Sequence, residues 1–91
     1  MPRFMIERAL PSIGIATPED LKAAAIRSNE VLAELAPDIQ WIESYVATDK
    51  TFCIYIATNE AMIRKHAELS GLPATTITEV GKVIDPTTAE S

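Results

Sequence analysis

The only cysteine and the only histidine of this chain stand in one stretch, CIYIATNEAMIRKH, from Cys53 to His66. Thiolate and imidazole are good donors for transition metals, and imidazole also moves protons near neutral pH. Each has a plainer role open to it. A buried free cysteine acts as a small hydrophobe, and a histidine on the inner side of a helix is a half-buried ring with one nitrogen hydrogen-bonded. Glu7 is a third candidate, because a carboxylate within an apolar strand costs free energy unless it is solvated, paired, hydrogen-bonded or metal-bound. Ser44 and Tyr55 can add hydroxyls. Glu7, Ser44, Tyr55 and His66 therefore form the candidate ligand site, with His66 and Glu7 as metal donors. An enzymatic reading gives His66 the proton-moving role beside Glu7 and Tyr55. In both readings His66 reaches a polar, solvent-connected pocket between sheet and helices, Glu7 favours its charged form, and Cys53 packs in the centre of the sheet.

Much chemistry is absent. The chain has no glycine-rich phosphate loop, HExxH, CxxC or GxSxG, which counts against nucleotide binding and the common hydrolases. One cysteine cannot hold a standard thiolate-ligated iron–sulfur cluster or close an intrachain disulfide. A formal net charge of -5 disfavours nucleic acid, whose phosphates call for clustered Lys and Arg, and anionic membrane surfaces too. No stretch approaches the ~20 apolar residues of a membrane span. The start, MPRFMIERAL, lacks the apolar run of a secretory signal. The expectation is a cytoplasmic protein with no nucleic-acid or membrane partner.

The elements that must position these residues are legible in order. RFMIERA, from Arg3 to Ala9, is a short apolar-rich strand that ends before Pro11. Thr17, Pro18, Glu19 and Asp20 open a helix as cap, first-turn proline and dipole-matched acids. Leu21, Ala25, Ser28, Leu32 and Leu35 share one of its faces, and Pro37 stops it. IQWIESYVATDKTFCIYIAT reads as a hairpin turning near Asp49–Lys50, with Val46 opposite Cys53 and Ser44 opposite Tyr55. Alternation then puts Ile42, Ser44 and Val46 on one face with Cys53, Tyr55 and Ala57, and Trp41, Glu43 and Tyr45 on the other with Phe52, Ile54 and Ile56. Thr58 or Asn59 caps a second helix that ends at Gly71. TTITEVGKVI is the last strand, with Gly81 as a possible bulge. Residues 1–85 make one domain, and 86–91 form a polar C-terminal tail.

The order β-α-β-β-α-β, with right-handed crossovers, gives an α+β, ferredoxin-like fold: a four-stranded antiparallel sheet with two helices on one face. Helices cover only one side of such a sheet. The other carries Trp41, Tyr45, Phe52 and Ile54, so a homodimer of the dimeric α+β barrel type is expected to bury it.

RFMIER, RSNEVLAEL, QWIESYVATDKTFCIYIA, NEAMIRKHAELSGLP and VIDPTTAE together resemble a small bacterial ferredoxin-like family of unknown function, described as nickel-binding-protein-like. The resemblance runs over nearly the whole chain and is most specific in SYV followed by DKTFCIY, and in IRKHA followed by GLP. It implies the same fold, a homodimer, and binding of nickel or another divalent transition metal on that dimer, for sequestration or sensing. It does not assign ligands residue by residue, and a single histidine is few for a strong nickel protein. The competing expectation is an enzyme or small-molecule binder that uses a cleft between sheet and helices.

Overall fold

Two capped helices and four strands account for most of the chain. In the computed structural model, which describes residues 1–90, the elements are β1 (Arg3–Ala9), α1 (Pro18–Leu35), β2 (Ile39–Val46), β3 (Lys50–Ala57), α2 (Glu60–Ser70) and β4 (Thr76–Val80). Short 3-10 segments span Ile13–Ile15 and Pro86–Glu90. α1 begins in a capping box: Asp20 N donates to Thr17 Oγ1 and Thr17 N donates to Asp20 Oδ2, both at 3.1 Å. Two orphan donors are thereby satisfied reciprocally. Asn59 Oδ1 accepts from Met62 N at 3.1 Å to start α2. Gly71, at φ 74°, ends α2 in the left-handed conformation that glycine adopts without a Cβ clash.

The strand order is β2-β3-β1-β4, all neighbours antiparallel. This is the expected ferredoxin-like arrangement. The core lies between the sheet and the helices, where Phe4, Ile6, Ile39, Tyr55 and Ala57 meet Val31 and Leu35 of α1 and Ile63 of α2. At roughly 1.5–3 kcal/mol for each large apolar side chain fully buried, this cluster dominates the stability of so short a chain.

Three local expectations are corrected. The hairpin turns about Thr48–Asp49, where Ala47 N donates to Lys50 O at 2.9 Å. Ser44 consequently faces Cys53 and Val46 faces Thr51, two places from the expected register. An even slip keeps each side chain on its face. β2 also carries a bulge between Trp41 and Glu43. The extra residue reverses the alternation beyond it, so Trp41 lies opposite Tyr55 and turns to the helix side, not to the face of Tyr45, Phe52 and Ile54. Finally, β4 stops at Val80, and Gly81 lies beyond it rather than in a bulge.

Candidate functional site

β1 could present either of two sets inward, Phe4, Ile6 and Arg8 or Arg3, Met5, Glu7 and Ala9, and each mixes apolar with ionic residues. Phe4, Ile6 and Arg8 turn in, while Met5 is partly exposed and Glu7 half-buried on the other face. Arg8, only 1% exposed, is thus the charged residue of the interior. Its Nη1 donates to the carbonyl of Pro73 at 2.8 Å and its Nη2 to the Tyr55 hydroxyl at 3.3 Å. Its guanidinium also lies 5.8 Å from the Tyr55 ring centroid. The Tyr55 ring is 5.2 Å from that of His66, tilted by 52°, and His66 Nε2 is hydrogen-bonded to Ser28 Oγ at 3.1 Å. A polar chain therefore crosses the core, Pro73–Arg8–Tyr55–His66–Ser28, linking the segment after α2 to the middle of α1. Two buried atoms in it have no partner, Arg8 Nε and His66 Nδ1.

The electrostatics follow from burial. His66 has no exposed surface, and desolvation together with the Arg8 charge lowers its pKa from 6.5 to about 4. The imidazole is neutral at physiological pH. Burial likewise pushes the Tyr55 phenol above its ordinary 10.0, although Arg8 opposes the rise.

Beside this chain lies a cavity of about 320 Å³, walled by the sheet, the first half of α1 and the segment after β1. It exists because α1 is small where it crosses this end of the sheet. Ala24, Ala25 and Ser28 line it, whereas Val31 and Leu35 fill the far end. Trp41 and Ser44 form another wall, joined by a hydrogen bond from Trp41 Nε1 to Ser44 Oγ at 2.9 Å. Positions 41 and 44 would face opposite ways on a regular strand, and the bulge brings them together. Cys53 also lines the cavity, with its sulfur 3.6 Å from Thr51 Oγ1.

The expected site is therefore divided. Ser44 and Tyr55 do line one cavity, and Tyr55 does touch His66. Glu7 is on the opposite face of the sheet, 3.7 Å from Lys50 Nζ, and cannot join His66. The ionic neighbour of His66 is Arg8, which disfavours the imidazolium, the reverse of the effect expected from Glu7. Of the singular residues, Cys53 is buried on the inner strand β3 as expected but also borders the cavity, whereas His66, fully buried against Ser28 and Tyr55, does not. Arg8 was the residue that sequence reasoning passed over. The available signal was β1's alternation, since Phe4 and Ile6 outweigh Met5 as core residues and Arg8 shares their side.

A family model described as nickel responsive protein SCO4226-like matches residues 4–80. The chain belongs to the SCO4226-like family. The crystal structure of SCO4226 from Streptomyces coelicolor A3(2) superposes with a TM-score of 0.76 at 17% sequence identity, covering 90% of this chain and 99% of that one. That likeness shows a common fold. No curated protein matches the chain.

The SCO4226-like family's name raises the question of where nickel would bind. The interior of one chain does not fit it. Among the described residues no three His, Cys, Asp or Glu side chains gather closely enough to hold an ion. His66 Nε2 is already engaged by Ser28, and the Arg8 guanidinium in the same interior repels a divalent cation in a low-dielectric setting. Also among the described residues, no helix is long and apolar enough to cross a membrane.

Proposed function

We propose that this protein is a small nickel-responsive binding protein that works as a homodimer, in sequestration or sensing of the metal. The family match across residues 4–80 carries this reading. The sheet supports the dimer. Its face away from the helices carries Phe52, Ile54 and Ile56 with Met5 and Tyr45, the last two 37% and 55% exposed. A second copy laid against this face gives the dimeric α+β barrel arrangement and buries a patch that is otherwise a solubility liability. Glu7 and Glu43 belong to the same face, so a two-fold axis there doubles each carboxylate across the interface. Carboxylates and water give a divalent ion oxygen donors without a closed thiolate or imidazole cage, and modest affinity follows. The one thiol is free and buried, which suits a reducing compartment such as the cytoplasm.

Calorimetric titration of nickel chloride into the metal-free protein tests this reading. Glu7→Gln and Glu43→Gln are expected to weaken binding about tenfold or more, while His66→Gln leaves it unchanged. The opposite pattern would move the metal into the interior and overturn the assignment.

One observation favours a second reading, a small-molecule site: the cavity between α1 and the sheet, with a buried guanidinium in its wall. This is binding rather than proton transfer by His66, because the imidazole is fully buried and outside the cavity wall.

A further inference from the structure

We propose that the cavity takes a small carboxylic acid with an apolar body, its carboxylate paired with Arg8. This rests on the second reading above and names the ligand class for it. A buried charge is ordinarily paired, because desolvation is otherwise uncompensated. Arg8 has only neutral partners, the Pro73 carbonyl and the Tyr55 hydroxyl. The described residues form two ion pairs, Lys50–Glu7 and Arg64–Glu60, and neither involves it. Its Nε is buried with no acceptor, and Arg8 is among the residues that line the cavity, so a guanidinium with unused donors lies beside a space large enough for a ligand. Among the described residues no buried carboxylate supplies the charge that would complete it.

The remaining walls narrow the class. Leu10, Leu21, Ala24, Ala25, Trp41 and Val46 are apolar, which calls for an apolar body. A single guanidinium balances one negative charge. A phosphate monoester would bring close to two and leave the excess unpaired in an apolar space. Arginine also matches a carboxylate geometrically, donating two parallel hydrogen bonds to its two oxygens. Ser44 Oγ accepts from Trp41 Nε1, which leaves its own proton to donate to a ligand oxygen. A volume of about 320 Å³ is near the lower end of the range for ligand pockets, ~300–1,000 Å³, so the acid is small.

Trp41, the only tryptophan of the chain, lines the cavity and reports on it. Octanoate and the uncharged octan-1-ol are titrated at pH 7.5 into wild type and Arg8→Met, following tryptophan emission and the melting temperature. Octanoate is expected to bind wild type at least about tenfold tighter than octanol (about 1.4 kcal/mol) and to raise its melting temperature. Arg8→Met is expected to abolish that advantage and leave octanol binding in place. Should Arg8→Met fail to fold, Ala25→Phe fills the cavity with Arg8 intact and is expected to remove octanoate binding while the far-ultraviolet circular dichroism stays native. Octanoate binding that survives the cavity-filling or the Arg8 change overturns the proposal. Equal binding of acid and alcohol to wild type rejects the carboxylate but keeps the cavity as a site. Binding of neither rejects both readings of the cavity.

Discussion

His66 is buried beside a permanent cation, and this makes acid stability a measure of the core's electrostatics. Its folded pKa is lowered from 6.5 to about 4 by burial and by Arg8. As pH falls through 6.5 the unfolded chain takes up a proton that the folded chain refuses, so stability is lost between the two values and the loss levels off below about 4. Above pH 6.5 both states are neutral and the term vanishes. At 1.36 kcal/mol per pH unit, the span is worth about 3 kcal/mol. That is a large share of the ~5–15 kcal/mol that holds a domain together. Urea unfolding of wild type and His66→Gln at pH 7.5, 6, 5 and 4 reads it directly. Carboxylates such as Asp85, held below its usual range by hydrogen bonds from Thr87, act alike in both proteins and cancel in the comparison. The free-energy gap between wild type and variant should change by about 3 kcal/mol from pH 7.5 to pH 4, to the disadvantage of wild type. A gap that stays constant would mean that His66 titrates normally, and the burial argument would fail.

Gly14 stands where an added Cβ would lie 2.7 Å from the Thr48 carbonyl oxygen and 2.8 Å from its Cα. Gly14→Ala should therefore push the Ile13–Ile15 segment off the hairpin turn and cost about 1–3 kcal/mol, read from the urea midpoint. Thr17→Ala removes one arm of the capping box and should cost about 1 kcal/mol, with Thr17→Ser recovering most of it. Phe52→Asp places a charge on the uncovered sheet face, and light scattering should show the proposed dimer converted to a folded monomer. An unchanged dimer would locate the interface elsewhere.

The architecture was legible because its punctuation is local. Thr17–Pro18, Pro37, Asn59 and Gly71 fix the helix ends through caps and breakers that need no tertiary information. The site was harder to read, for reasons visible in particular residues. β1 mixes apolar with ionic residues on both sides, and the greater bulk of Phe4 and Ile6 over Met5 is a slight sequence signal that packing turns into the choice of Arg8 over Glu7 for the interior. The bulge in β2 carries no glycine or proline to announce it, yet it moves Trp41 from one face of the sheet to the other. Ser28, a polar residue in the middle of α1, has its reason in packing: it meets a buried polar neighbour, His66, at 3.1 Å. Ala24 and Ala25 are ordinary helix formers in sequence. Their small size becomes meaningful only once the sheet below them leaves a space.

Anomalous diffraction at the nickel absorption edge, from crystals of the nickel-loaded protein, tests the central claim most directly. The proposed function predicts a nickel peak between two copies of the chain, on the sheet face that carries Tyr45, Phe52 and Ile54, with Glu7 or Glu43 in its shell. A peak inside a single chain, on His66 Nδ1 or Cys53 Sγ, would contradict it.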